Sequence, residues 1–153
     1  TLALGQGTGT ELQNVAAPWE PLHLVIVAAQ FGLSTPSVFK QLDVGRAAGE
    51  YPASAELVQP VKLLKTLNSY DGSEAELASL ASLLRNDLQA PALSCAPQLE
   101  QTLNLRESEG VYASLVSGSG PTVLLLTSSP ARAEALAASL RAEGHHAVSA
   151  LSA

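Results

Sequence analysis

The amino-acid sequence predicts an α+β domain in which an antiparallel sheet packs against several helices. Two segments of strand length, residues 22–29 and 122–127, are almost entirely apolar and are therefore predicted to be buried strands. A third strand-like segment, residues 111–116, precedes the second of them by five residues, which favours an antiparallel hairpin. Apolar residues at helical spacing lie between the first strand and this hairpin, so the predicted fold mixes helices with strands.

Composition limits the class of protein. The chain has 153 residues, the size of one domain with a buried core. Hydrophobic residues make up 46% and charged residues only 14%, so the chain is too apolar to be intrinsically disordered. Eight basic and fourteen acidic residues give a net charge of −6, which argues against nucleic acid or an anionic membrane as a partner.

Cysteine content and hydropathy limit the cellular setting. The one cysteine, Cys95, excludes an intrachain disulfide framework and a cysteine-rich zinc site. No apolar run reaches the roughly 20 residues of a membrane span, and the N-terminus lacks the pattern of a signal peptide. We therefore expect a cytoplasmic protein with no membrane partner. The sequence begins at Thr1 and contains no Met, so we also expect it to be part of a longer protein.

The N-terminal segment is rich in glycine. Residues 5–9 read GQGTG, so residues 1–20 are predicted to be a lead-in loop and linker, and the domain itself is predicted over residues 21–153. These glycines follow a G-x-G-x-G pattern and precede a strand. A dinucleotide-binding loop has the pattern G-x-G-x-x-G and follows a strand, so that function is not indicated.

A helix-start signal follows the first predicted strand. Residues 34–36 (STP) combine hydroxyl side chains, which cap helices, with a proline suited to the first turn. The apolar stripe of this short helix is predicted at Val38, Phe39 and Leu42. Residues 45–53 contain Gly, Pro and Tyr and are predicted to form a loop.

The centre of the chain is predicted to hold three helices. The first covers residues 60–68. Ser73 and Glu76 form a capping box, and the helix that they open is predicted to end near residues 90–91. Its buried face is predicted at Leu77, Leu80, Leu84 and Leu88. A third helix is predicted over residues 96–106.

The C-terminal segment completes the topology. Ser129 and Pro130 predict the start of a last helix, Gly144 predicts its end, and residues 145–151 are predicted to form a final strand. The order is then strand, helices, strand, strand, helix, strand. That order predicts the split β-α-β arrangement of a ferredoxin-like sandwich, with extra helices in the first crossover.

The segment with the clearest chemical signal is the Ser-Gly-Ser-Gly-Pro-Thr run at residues 117–122. Glycines among small hydroxyl residues let backbone N–H groups converge on an anion, and phosphate is the typical ligand of such a nest. An ordinary glycine-rich hairpin loop is the alternative, and on spacing alone it is the commoner case. The chain contains no Walker-type loop and no nucleophile elbow.

Three side chains outside this loop are further candidates. Thr35 lies where a strand leads into a helix, so its hydroxyl either binds a ligand or caps the helix, the commoner role. Phe39 either stacks on a flat ring or packs in the core, again the commoner role. Asp87 is either a metal ligand or a solvated helix residue, and a lone carboxylate is weak support for a metal site.

Four segments together resemble the C-terminal half of the GHMP kinase superfamily. They are FGLSTPSVF (residues 31–39), NDLQ (86–89), SGSGPT (117–122) and the opening LGQGTGTEL (4–12). Several members share the glycine loop. The first two segments look more like those members that phosphorylate the 2-hydroxyl of a cytidine diphosphate-linked methylerythritol, in the non-mevalonate route to isoprenoid precursors. The resemblance covers nearly the whole chain and implies the fold of GHMP kinase C-terminal domains.

The resemblance also implies roles for particular residues. Gly118, Ser119 and Gly120 match the glycine-rich loop that lines the active site of these kinases near the phosphates. Thr35 and Phe39 match positions that help to hold the cytidine end of the substrate, with Phe39 as a stacking ring. The implied cofactors are ATP and Mg2+, and the implied partners are the small-molecule substrate and an upstream ATP-binding half of the same protein.

The sequence departs from these kinases in two respects. Their ATP-binding loop and the catalytic Asp and Lys belong to the upstream half, so no catalytic residue is expected in this chain and the chain alone is expected to be inactive. Gln89 stands where many members have Glu. Two other interpretations stay open: a stand-alone ferredoxin-like ligand-binding or regulatory module without catalysis, and another GHMP kinase of the homoserine or mevalonate type.

Overall fold

The computed structural model describes residues 2–6, 10–15, 20–52 and 61–152. Six strands and six helices lie in these ranges: β1 (Leu2–Gln6), β2 (Glu11–Val15), β3 (His23–Ala28), α1 (Thr35–Ala47), α2 (Val61–Ser69), α3 (Glu74–Ala81), α4 (Gln89–Cys95), α5 (Leu99–Leu103), β4 (Val111–Val116), β5 (Val123–Thr127), α6 (Pro130–Ala142) and β6 (His146–Leu151). A short 3-10 turn, Asn104–Glu107, continues α5. In the described part of the chain, no helix is both long and apolar enough to cross a bilayer.

The main sheet has the strand order β4-β5-β3-β6, and every neighbouring pair is antiparallel. The two inner strands are β3 and β5, the segments predicted to be buried from their continuous apolar composition. Taken with the helices between them, this order is that of a ferredoxin-like split β-α-β sandwich. The predicted fold class is therefore confirmed, as is the hairpin formed by β4 and β5.

Helices cover both faces of the sheet. On one face, Val25, Val27 and Leu125 are almost fully buried beneath residues of α1, α4, α5 and α6. On the other face, Tyr70 and Leu77 pack with Leu126 in a smaller cluster. Apolar side chains of β3 and β5 thus pack on both faces of the sheet, which explains why their sequences do not alternate between apolar and polar residues.

The N-terminal segment differs from the predicted loop. β1 and β2 form a separate two-stranded antiparallel sheet in which Gly5 pairs with Leu12. Gly5 and Gln6 of the GQGTG run thus lie in β1, and residues 7–9 lie outside the described residues. Strand formation here depends on pairing with the partner strand, and the local glycine content carries no signal for it. The boundary between residues 1–20 and 21–153 stays a prediction.

The predicted loop at residues 45–53 begins later, because α1 continues to Ala47. Gly45 is buried inside the helix, and a Cβ atom there would overlap the ring of Tyr51. The glycine lets the chain after α1 fold back against the helix. Glycine at this position therefore reflects a close contact inside a helix and does not mark the end of that helix.

The predicted long helix that starts at Ser73 is two helices. Ser73 caps α3 by accepting a hydrogen bond from Glu76 N–H (3.4 Å), but α3 ends at Ala81. The leucines at helical spacing beyond it diverge: Leu84 packs in the cluster on one face of the sheet and Leu88 in the core on the other. No single straight helix reaches both faces, so the chain breaks between them. The helix predicted over residues 96–106 is also shorter and comprises only α5 and the 3-10 turn.

Candidate functional site

Two segments that the sequence singled out meet at the N-terminus of α1. The side chain of Ser34 caps this helix by accepting a hydrogen bond from Ser37 N–H. Thr35, the first helical residue, is therefore not the cap. Its Oγ1 lies 2.7 Å from Oγ of Ser119 in the glycine loop, so one hydroxyl donates to the other. The capping role weighed for Thr35 is wrong, and its hydroxyl points toward the loop.

The glycine loop has a defined internal geometry. Ser117 N–H donates to Thr122 O (2.8 Å), and Gly120 N–H donates to Ser117 O (2.9 Å). Gly118 and Gly120 both have positive φ values, +56° and +81°, which glycine adopts without strain. The N–H of Gly120 is therefore used inside the loop and is not available to an anion.

Two consecutive N–H groups at the tip of the loop are not used inside it. In the described part of the chain, neither Gly118 N–H nor Ser119 N–H has a hydrogen-bond partner. A Cβ atom added at Gly118 would meet nothing within 4 Å, so the space beside this residue is open. Consecutive unpaired N–H groups next to open space are the arrangement that an anion-binding nest requires. Anion binding by residues 118–120 stays a prediction.

Gly120, unlike Gly118, lies close to other side chains. A Cβ atom there would lie 3.1 Å from Cγ1 of Val116 and 3.4 Å from Cδ2 of Leu33. A side chain at this position would therefore press on both neighbours and would also be strained by the positive φ value. The glycine at 120 is thus required by packing and backbone conformation, whereas the glycine at 118 faces open space.

Phe39 lies outside the core. Its side chain is 48% exposed, whereas the neighbouring Val38 is fully buried. Thr35 and Phe39 are four residues apart on α1, so they lie on the same face of the helix. The predicted packing of Phe39 in the apolar stripe is wrong. Stacking on a flat ring stays a prediction, and the exposed ring beside Thr35 fits it.

The NDLQ segment contacts the glycine loop. Asn86 Nδ2 donates to the carbonyl oxygens of Val116 and Gly118, both at 2.7 Å. Gln89 Oε1 accepts a hydrogen bond from Val116 N–H at 3.0 Å. Sequence reasoning identified the segment but considered only Asp87 for a role. The contacts of Asn86 and Gln89 were missed because their partners lie far away in the sequence.

Asp87 lies in the turn before α4, so the prediction that it belongs to a helix is wrong. Its side chain is 66% exposed and lies 3.9 Å from the guanidinium of Arg85. Within the described ranges, no group of three or more His, Cys, Asp or Glu side chains is arranged to hold a metal ion. Its exposure makes Asp87 a solvated carboxylate in a turn.

A pocket of about 210 Å³ adjoins the NDLQ segment. It lies between α1 and the turn before α4, and its lining residues are Leu42, Arg46, Tyr51, Pro52, Arg85, Asn86, Asp87 and Ala90. The guanidinium of Arg46 donates to Pro52 O (3.1 Å) and so helps to hold the chain after α1 against the pocket. Asn86 lines this pocket and also donates a hydrogen bond to the glycine loop.

Comparison with known proteins identifies the family. The family described as GHMP kinases C terminal matches residues 62–146. A 4-diphosphocytidyl-2-C-methyl-D-erythritol kinase of Arthrobacter sp. (strain FB24) is 44% identical over 149 residues, which are 97% of this chain and 44% of that protein. The chain thus spans less than half the length of this relative.

Solved structures agree on the fold. A crystal structure of 4-(cytidine 5'-diphospho)-2C-methyl-D-erythritol kinase matches with a TM-score of 0.68 at 23% identity, covering 97% of this chain and 48% of that one. A homoserine kinase from Cytophaga hutchinsonii matches with a TM-score of 0.61 at 17% identity, covering 99% of this chain and 47% of that one. At these identities the likeness concerns the fold alone, and the family match decides the assignment: this chain belongs to the GHMP kinases and carries their C-terminal domain.

Proposed function

We propose that this chain is the C-terminal part of an ATP-dependent kinase that phosphorylates the 2-hydroxyl of 4-diphosphocytidyl-2-C-methyl-D-erythritol. The observation that carries the proposal is the Thr35–Ser119 hydrogen bond, because it joins the proposed cytidine-side segment to the proposed phosphate loop. The names of the curated relatives support the same substrate. The reaction would serve isoprenoid precursor synthesis by the non-mevalonate route.

The described residues divide into two halves of one site. Thr35 and Phe39 would hold the cytidine end, with the exposed ring of Phe39 as a stacking surface. Gly118 and Ser119 would bind phosphate oxygens through their unpaired N–H groups, and Gly120 would fix the shape of the loop. The chain would thus supply a substrate wall and a phosphate loop.

The remaining machinery would come from an upstream ATP-binding half of the same protein. Phosphoryl transfer needs charge-neutralising groups around the γ-phosphate and a residue that orients the attacking hydroxyl. The described residues offer no metal-binding cluster, so Mg2+ would be held by the phosphates of ATP and by upstream residues. When bound, ATP supplies the transferred phosphoryl group and Mg2+ neutralises its developing charge.

The same proposal covers domain organisation and cellular setting. Residues 1–20, including the β1–β2 hairpin, would lead in from the upstream half, and residues 21–153 would form the C-terminal domain. The partner of this domain would be that upstream half, and the enzyme would act in the cytoplasm on a small-molecule substrate. No role with nucleic acid or a membrane is proposed, in keeping with the net charge of −6.

The test is a kinase assay of the full-length protein with ATP and Mg2+. We expect phosphorylation of 4-diphosphocytidyl-2-C-methyl-D-erythritol, and no comparable turnover of homoserine or mevalonate under the same conditions. The 153-residue chain alone should show no transfer. Turnover of homoserine or mevalonate in preference to the cytidine substrate would replace the proposed function with that of another GHMP kinase. Binding of the cytidine compound without any transfer by the full-length protein would leave a ligand-binding module.

A further inference from the structure

The carboxamide of Asn86 is held by three hydrogen bonds. Its Nδ2 donates to Val116 O and to Gly118 O, and its Oδ1 accepts from Leu88 N–H at 3.0 Å. These contacts fix the orientation of the amide, because a flipped group would set its oxygen against two carbonyl oxygens. Asn86 therefore acts as a clamp between the turn before α4 and the glycine loop.

This clamp decides which way one peptide unit of the loop faces. Gly118 C=O and Ser119 N–H belong to the same peptide, and the only cis bond among the described residues is Gly120–Pro121. In a trans peptide the carbonyl and the N–H point in opposite directions. Since Asn86 binds the carbonyl, Ser119 N–H is turned away from Asn86, toward the side of the loop on which it has no partner.

The strand that leads into the loop is held by a second side chain. Gln89 Oε1 accepts from Val116 N–H, while Asn86 Nδ2 donates to Val116 O. Both backbone polar groups of Val116 are therefore bound by side chains of the NDLQ segment. Val116 lies two residues before Gly118. The end of β4 cannot rotate without breaking contacts to Asn86 and Gln89 together.

We propose that Asn86 is a positioning residue of the kinase, which orients the Gly118–Ser119 peptide so that Ser119 N–H binds a phosphate oxygen of ATP. Asn86 itself touches neither substrate in this proposal and acts through the loop. The inference rests on the proposed function only for the identity of the anion. The orientation of the Gly118–Ser119 peptide by Asn86 does not depend on the proposed function.

The first test replaces Asn86 by leucine, which has a similar size, no charge and no hydrogen-bonding group. In the full-length enzyme, Asn86→Leu is expected to reduce kcat/KM for ATP by about tenfold or more, less than the loss of an active-site donor itself. The KM for the cytidine substrate is expected to stay within about threefold, because Thr35 and Phe39 are held by α1. The control is Asn104→Leu at an exposed position for which no side-chain hydrogen bond is found in the described residues.

Asn86→Asp adds a second variant of nearly the same shape. A carboxylate accepts hydrogen bonds but cannot donate to Val116 O or Gly118 O, so it is expected to lose ATP affinity as the leucine variant does. A folded Asn86→Leu enzyme with wild-type kcat and wild-type KM for ATP would overturn the proposal. So would equal losses with both substrates, because a general structural defect has that signature.

A measurement on the wild-type protein covers the case in which these variants do not fold. In nitrogen-15 NMR spectra, the Ser119 amide signal is expected to shift on addition of a non-hydrolysable ATP analogue, and the two Nδ2 protons of Asn86 are expected to exchange slowly with solvent. An unmoved Ser119 signal at saturating analogue would refute the inference.

The same experiment separates the two proposals. If the full-length protein fails to phosphorylate the cytidine substrate but inorganic triphosphate still shifts the Ser119 signal, the proposed substrate is wrong, whereas binding of a phosphate by Ser119 N–H stands. If the enzyme is active and the Ser119 signal does not move, the role of Asn86 is wrong and the proposed function stands.

Discussion

The hydroxyl groups of Thr35 and Ser119 lie 2.7 Å apart, although 84 positions separate them in the sequence. Thr35 opens α1, and Ser119 lies at the centre of the glycine loop between β4 and β5. This hydrogen bond ties the loop to the helix that carries Phe39. The two segments that the sequence singled out thus lie side by side in the fold.

The first prediction concerns this pair. Thr35→Val and Ser119→Ala each remove the bond, and each is expected to lower kcat/KM of the full-length kinase by about three- to tenfold, the scale of one net hydrogen bond. The double variant is expected to lose little more than the worse single variant, because residues that act as a unit are not additive. Steady-state kinetics on the four proteins measure the coupling. Ser37→Ala on the same helix is the control, and fully additive losses would contradict the coupling.

The second prediction concerns Gly120. Gly120→Val is expected to abolish activity and to lower the midpoint of thermal unfolding, because the new side chain would press on Val116 and Leu33 at a φ of +81°. Thermal unfolding and the kinase assay are measured together. A variant with normal turnover would show that the loop does not need this conformation.

The third prediction concerns Gly118, where the structure leaves space for a methyl group. In Gly118→Ala the only expected loss of stability is the strain of the left-handed backbone conformation, about 1–2 kcal/mol. The protein is therefore expected to remain folded. The methyl group would occupy the open space in which a phosphate is proposed to bind, so the KM for ATP is expected to rise while that for the cytidine substrate does not. An unchanged KM for ATP in the folded variant would place the anion elsewhere.

The fourth prediction concerns Phe39. Loss of a stacking contact with a base costs about 1–3 kcal/mol, so Phe39→Ala is expected to raise the KM for the cytidine substrate by roughly 5- to 150-fold. Because the ring is 48% exposed, the melting temperature is expected to change little. Val44→Ala is the matched control, since Val44 is an apolar side chain of the same helix with 52% exposure. A large fall in stability with an unchanged KM would assign Phe39 to packing.

Some parts of the fold could be predicted from the sequence and others could not. Continuous apolar runs identified the two inner strands, because a strand between two helical layers carries that composition. The spacing of Leu84 and Leu88 was misleading, because it resembles one helical face while the two side chains pack on opposite faces of the sheet. The exposure of Phe39 depends on which face of α1 meets the core, and Val38 and Leu42 satisfy that packing without it.

The candidate site could be predicted only in part, for a similar reason. Residue types in the glycine loop indicate an anion site, but they do not tell which N–H groups are used internally, and the structure assigns that of Gly120 to Ser117 O. The contacts of Asn86 and Gln89 with Val116 span 27 to 30 positions. No local pattern encodes such contacts, so they become visible only when the chain is folded.

The last prediction tests the contact between Gln89 and β4. Gln89→Glu keeps an acceptor for Val116 N–H, so this change is expected to leave the free energy of unfolding nearly unchanged. Gln89→Met has a similar length but no comparable acceptor and leaves a partly buried N–H unpaired, at a cost of about 1–3 kcal/mol. Denaturant unfolding of the two variants compares the acceptor with its absence at constant side-chain length.

Equal stabilities would mean that Val116 N–H finds another partner and that Asn86 alone holds the end of β4. A less stable glutamate variant would contradict the prediction and would mean that an acceptor alone is not sufficient at this position.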